Sequence, residues 1–152
     1  MSLVVSTFKS PIGEYYLVID DKAVVQAGFG KPPKHQNIAN HPYIKLVEQY
    51  FKGDKNALDK IPYKQHGSDF ANKTWQAIGK IPYGTTLSYA GLAQKAGNKK
   101  AVRASASACG KNNIVLLVPC HRVIKSDGSI GKYAYGTALK QYLLNHESKS
   151  TN

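Results

Sequence analysis

The chain has 152 residues, 42% hydrophobic and 20% charged, a balance that suits one folded domain or two small ones and excludes disordered and collagen-like chains. Its longest aliphatic run, Ile114 to Val118, is far short of a membrane span, and residues 1–10 carry no basic leader before an apolar stretch, so a cytoplasmic location is expected. The net charge of +12 is uneven: residues 1–70 hold nine lysines and seven acids, whereas residues 71–152 hold twelve basic residues and only Asp127 and Glu147 as acids. A half of one sign predicts a polyanionic partner, nucleic acid ahead of a membrane surface.

The first thirty residues predict a β-meander. Val4, Val5, Thr7 and Phe8 make one strand, and Ser10-Pro11-Ile12-Gly13 makes a turn. Glu14 to Ile19 is a second strand, and Ala23 to Phe29 a third after Asp20-Asp21-Lys22. Lys31 to Lys34 reads as linker. Asn40 reads as an N-cap, with Ile44, Val47, Tyr50 and Phe51 as one apolar helix stripe that Gly53 ends. His35, His41 and His66 lack metal-ligand spacing, so no metal is expected. Residues 1–66 therefore read as a small α/β support domain.

Residues 67–152 read as mostly helical. Ser68 or Asp69 caps a helix with Phe70, Thr74, Trp75 and Ile78 inward, stopped at Ile81-Pro82-Tyr83-Gly84. Ser88 to Ala96 predicts a second helix, Gly97-Asn98 a turn, and Lys99 to Cys109 a third, together a helix-turn-helix. Lys99, Lys100 and Arg103 cluster at the start of the third helix, where backbone amides already favour phosphate. Its other positions are nearly all Ala or Ser, too short to read base edges but small enough to enter a narrow groove.

The most specific segment is Ile114 to Ile124, where an apolar run read as a strand leads into Pro119-Cys120-His121-Arg122 and out through Val123-Ile124. Pro119 fixes the backbone before a thiol, and His121 sits beside it as an acid/base group. The two arginines of the chain, Arg103 and Arg122, fall in the groove helix and in this segment. On extended backbone, neighbouring side chains point to opposite faces, so His121 would reach Cys120 only through a turn or a bridging water. An ordinary thiol is only a few per cent ionised at neutral pH and needs activation. Glu147, just after a helix expected over Thr137 to His146, is the acid available to orient His121, giving a Cys–His–Glu relay.

The Pro119–Ile124 motif resembles the active-site segment of the O6-alkylguanine-DNA alkyltransferases, also called methylated-DNA–protein-cysteine methyltransferases. The likeness extends in order over Ile81–Gly84, Ser88-Tyr89 with Leu92-Ala93, Ala101–Ala104, Asn112, and Leu143-Leu144 with His146-Glu147. The resemblance implies an α+β fold with an N-terminal antiparallel sheet and helix of ribonuclease-H-like type, followed by a helix-turn-helix domain. It implies repair of O6-alkylguanine, with O4-alkylthymine as an alternative substrate, in double-stranded DNA by a monomer that enters the minor groove and needs no cofactor.

By the same resemblance Cys120 accepts the alkyl group irreversibly, and His121, Glu147 and a water deprotonate it. Asn112 braces the turn, and Arg103 fills the space left by the flipped base. Tyr89 displaces the target phosphate and donates a proton to the guanine ring. Val123 accepts from the guanine amino group through its carbonyl, and Ser126, Tyr133 and Ala134 belong to the substrate side. Ala134 stands where a serine is frequent and Tyr135 where a small residue is common. Location follows the DNA, at the nucleoid or in a nucleus. The rivals are an alkyltransferase-like or helix-turn-helix DNA-binding protein without catalysis, and a cysteine hydrolase. The first lacks the cysteine, and the last leaves the basic half unexplained.

Overall fold

The computed structural model describes residues 3–150, and its architecture is α+β. The chain forms two compact units, and one cut does not separate them: the residues up to Gln65 are joined by Asn113–Leu117, while His66–Asn112 and the residues from Val118 onward make the other.

In the first unit β1 (Leu3–Ser10), β2 (Gly13–Asp20) and β3 (Ala23–Phe29) form the expected meander. Ser10 pairs with Gly13 across a two-residue loop, and Gly13 takes φ 120°, a conformation open to glycine. Tyr15 to Ile19 on β2 are all buried, as a central strand covered on both faces requires. The sheet is mixed, not antiparallel as the sequence predicts: β4 (Gln36–Asn37) lies parallel to β1, with strand order β3-β2-β1-β4. The chain beyond Pro32-Pro33 returns along β1, where Ile38 N–H donates to Val5 O at 2.8 Å.

Helix α1 (Pro42–Phe51) buries Ile44, Val47 and Tyr50. Its cap is His41 and not Asn40: His41 Nδ1 accepts from Tyr43 N at 3.0 Å, while Asn40 takes φ 58°. The Ile114–Val118 run is buried but is not a strand. Its backbone bonds are spent on the rim of β3, Ala27 N to Asn113 O at 2.9 Å and Val115 N to Ala27 O at 3.3 Å, and Leu116 then turns at φ 82°. Tyr15 Oη, donating to Val115 O at 2.7 Å, secures the segment.

The second unit begins with α2 (Asp69–Gly79), where Ser68 Oγ accepts from Ala71 N. A Cβ on Gly67 would come within 2.7 Å of the Trp75 ring, so the chain entering α2 is held tight against that indole. Trp75 Nε1 donates to Ala108 O at 2.9 Å, fastening α2 to α4. Helix α3 (Tyr89–Lys95) is capped by Ser88, whose Oγ accepts from Gly91 N at 3.0 Å. Helix α4 (Val102–Gly110) starts later than its basic cluster predicts, leaving Lys99 and Lys100 in the preceding turn. Asn98 causes this: its side chain accepts from Lys100 N and its carbonyl from Ala101 N, a local turn that competes with helix.

Strands β5 (Leu87–Ser88) and β6 (Val123–Ile124) pair in parallel, which the sequence does not signal. Helix α5 (Thr137–Ser150) runs past His146, so Glu147 lies on the helix and not after it.

Candidate active site

The thiol sits at a corner made by two successive tight turns. Pro119 takes φ −82° and ψ 64°, the inverse γ-turn, closed by Cys120 N donating to Val118 O at 2.8 Å. Arg122 N then donates to Pro119 O at 2.9 Å, and Cys120–Arg122 form one 3-10 turn. The proline ring sets the first dihedral in advance. With three residues per turn, Cys120 and His121 escape the opposed directions that a strand would impose.

Asn112, buried just beyond α4, spans this corner. Its Nδ2 donates to Val118 O at 2.9 Å and to Cys120 Sγ at 3.3 Å. One amide thus fixes the backbone before the turn and supplies a donor that favours the ionised sulfur. Cys120 itself is 7% exposed.

His121 is fully buried, and its Nε2 lies 2.7 Å from Glu147 Oε2. Its Nδ1 has no hydrogen-bond partner among the described protein groups. A buried ring nitrogen without a partner is uncommon. With Nε2–H given to the carboxylate, Nδ1 is left as an acceptor, which is the role a proton relay from a thiol requires.

Arg122 completes the group. Its Nε donates to Glu147 Oε1 at 2.8 Å, its Nη2 to Oε2 at 3.0 Å, and its Nη1 to Ile81 O at 2.8 Å. Its guanidinium also lies 5.6 Å from the centroid of the Tyr83 ring.

The electrostatics follow from burial and these contacts. Burial pushes the Cys120 thiol up; the Asn112 donor and the Lys140 charge oppose it without cancelling it. Burial holds His121 below its ordinary value, so it rests neutral and able to accept a proton. Burial disfavours the Glu147 charge, yet its bonds to His121 and Arg122 outweigh that and hold the carboxyl well below the usual range. Cys109 is pushed up to about 12 by burial and then by Cys120.

The structure therefore brings Asn112, Cys120, His121 and Glu147 together. Tyr89, the first residue of α3, is half-buried, and its phenol is pushed up to about 12 by burial and by the two cysteines, so it stays protonated. Val123 is buried at the start of β6, and its carbonyl already accepts from Lys140 Nζ at 2.6 Å. Tyr133 is half-buried, its ring centroid 6.1 Å from that of Tyr135. Arg103 is exposed in the first turn of α4. Ser126 and Ala134 are exposed, and no hydrogen bond ties either to Cys120 among the described residues.

Two residues carry more of this site than the sequence assigns them. Arg122 has one signal, being one of two arginines among many lysines. Lys140 has none, since a lysine between Leu139 and Gln141 reads as solvent-facing. It is 0% exposed. Among the described residues no group of three or more His, Cys, Asp or Glu is placed to hold a metal, and no helix is long and apolar enough to cross a membrane.

Residues 69–149 match the family model described as the DNA-binding domain of 6-O-methylguanine DNA methyltransferase. The constitutive methylated-DNA–protein-cysteine methyltransferase of Bacillus subtilis is 41% identical over 155 aligned positions, covering 93% of each chain. The crystal structure of a Mycobacterium tuberculosis O6-methylguanine methyltransferase superposes with a TM-score of 0.87 at 28% identity, covering 97% of this chain and 94% of that one. A Mycobacterium tuberculosis structure in complex with DNA gives a TM-score of 0.83 at 29% identity over the same shares.

Proposed function

Because the chain belongs to the methylated-DNA–protein-cysteine methyltransferase family, we propose that it is a DNA repair protein that moves the alkyl group of O6-alkylguanine irreversibly onto its own Cys120. One observation carries the assignment of roles. Cys120 stands on a preset corner with a donor from Asn112 and is followed in the chain by a neutral His121 whose Nε2 is held by Glu147 and whose Nδ1 is buried without a partner.

The steps balance without a cofactor. A water passes the Cys120 proton to His121 Nδ1, and Glu147 stabilises the imidazolium. The thiolate attacks the alkyl carbon, the C–O6 bond breaks, and the electron pair leaves with the guanine oxygen. Tyr89, protonated in the resting site, gives the departing base a proton. The product is a thioether, which water does not cleave, so each molecule acts once.

The DNA side is part of the same proposal. Helices α3 and α4 with their Gly97-Asn98 turn are a helix-turn-helix, and α4 lies in the minor groove of double-stranded DNA. The exposed face of α4 is Val102, Arg103, Ala104, Ala106 and Ser107, one long cation among small side chains. Such a face approaches sugar and phosphate closely, and Arg103 occupies the space left by the flipped nucleotide. Val123, Ser126, Tyr133 and Ala134 border the base, and the residues before 67 support this half. The protein works as a monomer.

The test is stoichiometry. With duplex carrying O6-methylguanine in excess, the moles of guanine restored should equal the moles of protein and then stop. A rival that binds without catalysis restores none, and a turnover enzyme restores more.

A further inference from the structure

A groove of about 550 Å³ opens between α2, the loop from Pro82 to Leu87 and the end of α3, and none of Asn112, Cys120, His121 or Glu147 lines it. Lys73, Ala77 and Lys80 recur at the spacing of one face of α2 and its C-cap, so this wall sets a small apolar centre between two ammonium groups. Lys95, in the last turn of α3, supplies a third. All three lysines are exposed. The floor between them is apolar: Ile81 and Ala96 are buried, and Leu87 is half-buried. Leu87 is fixed from behind, because a Cβ on Gly91 would come within 2.8 Å of its Cδ1.

No carboxylate answers these charges. The chain carries no acid from Phe70 to Ser126, so none lines the groove. Asp69, one helical turn before Lys73, makes no ion pair with it, and the ion pairs among the described residues lie on Glu147. Lysines gathered around an apolar floor repel one another and favour an anion among them. A DNA backbone is anionic but has no apolar group to fill such a floor. The exposed face of α4, from Val102 to Ser107, contributes nothing to the lining either. A peptide segment brings both carboxylates and an apolar side chain. Lys73 and Lys80 are about 10 Å apart along the helix axis, a span that about three residues of extended chain cover.

We propose that this groove is a docking site for an acidic peptide segment of a partner protein. One bulky apolar side chain of that segment sits on Ile81, Leu87 and Ala96, and carboxylates on either side of it meet Lys73 and Lys80. Lys95 receives a further carboxylate from the α3 side. The surface lies outside the alkyl-acceptor site, and its assignment does not rest on the alkyl-transfer reading of Cys120.

The test uses the full chain and a fluorescein-labelled synthetic peptide, Glu-Asp-Glu-Phe-Glu-Asp-Glu, followed by fluorescence anisotropy at physiological salt. A counterpart peptide carries serine in place of phenylalanine. The phenylalanine peptide should bind roughly tenfold or more tightly than its counterpart, the size expected from burying one ring. Lys73→Glu with Lys80→Glu should weaken it roughly tenfold or more, because each exchange sets like charges together. Lys111→Glu with Lys149→Glu, an equal change of charge outside the groove, should weaken it by no more than about threefold, as screening limits distant charges. On the unaltered protein, amide shifts in nuclear magnetic resonance should centre on Ala77, Leu87 and Ala96 and spare Arg103. Melting temperatures are measured alongside, and if a double variant does not fold, the peptide pair and the shifts decide alone. Absence of binding by the phenylalanine peptide, equal binding of the two peptides, equal loss in the two double variants, or shifts centred on α4 would overturn the proposal. The last three would assign the lysines to general attraction for polyanions, such as a duplex exerts.

Discussion

Arg122 grips Glu147 through two parallel charge-assisted hydrogen bonds, Nε to Oε1 at 2.8 Å and Nη2 to Oε2 at 3.0 Å, so the carboxylate that orients His121 is itself immobilised from the adjacent residue. The pair is buried, and breaking it leaves an uncompensated charge. Arg122→Ala should therefore cost about 3–5 kcal/mol of folding stability, read by urea unfolding at pH 7. A loss no larger than that of an exposed lysine substitution would show that the clamp contributes little.

The same network sets the acid behaviour. His121 and Glu147 both have native-state affinities for protons below their unfolded values, 6.5 for the imidazole and 4.5 for the carboxyl. The unfolded chain then binds more protons, so their stabilising effect is complete above pH 6.5 and falls on acidification. His121 contributes the loss that begins below 6.5, and Glu147 the steeper loss below 4.5. Glu147→Gln should flatten the lower part of the stability–pH curve, measured by chemical unfolding from pH 3 to 8. An unchanged slope below pH 4.5 would contradict the linkage.

Asn112 joins structure and chemistry in one side chain. Asn112→Ala removes one of the two hydrogen bonds that the buried Val118 carbonyl accepts, at a cost of about 0.5–1.5 kcal/mol, and removes the donor at Cys120 Sγ. Stability should fall and the reactive pH of Cys120 should rise together. A variant that loses stability while its thiol titrates as before would reduce Asn112 to scaffolding.

Much of this arrangement is legible in the sequence, and the illegible parts have physical reasons. Ser68, one of two cap candidates with Asp69, is the cap of α2, and Pro119-Cys120-His121 announces a fixed thiol. The Ile114–Val118 run does not disclose its shape, because continuous apolar residues suit a covered strand and a buried irregular segment equally. The positive φ of Leu116, which turns the chain, has no residue-type signature. Asn40 looks like a better cap than His41, but a cap depends on which side chain faces the free amides. Lys140 defeats sequence reasoning most fully, since its burial depends on two carbonyls brought from elsewhere in the chain.

Arg103 tests the DNA geometry. Arg103→Ala should slow repair of O6-methylguanine in duplex DNA far more than reaction with free O6-benzylguanine, because only the duplex leaves a gap to fill. Parallel single-turnover assays give the ratio. Equal slowing on both substrates would point to a folding defect.

The basic half tests the mode of binding. Residues 71–152 carry twelve basic side chains against two acids, so duplex affinity should fall steeply and linearly with the logarithm of salt concentration as counterions are released. Sequence preference should be slight, because the exposed face of α4 offers little beyond Arg103 to read bases. Fluorescence anisotropy over a salt series measures both. A flat dependence would assign the basic surface to something else.

The central claim is that Cys120, and not Cys109, accepts the alkyl group. Cys109 lies in the last turn of α4, where the helix dipole disfavours a thiolate, and its thiol is pushed up to about 12. Cys120 has the Asn112 donor and the His121–Glu147 relay. Intact-mass spectrometry after incubation with methylated duplex, followed by peptide mapping, should show one methyl group and no more, on the peptide containing Cys120. Cys109→Ser should react as the parent does, and Cys120→Ser should gain no mass. A methyl on Cys109, or guanine restored repeatedly by unmodified protein, would contradict the account.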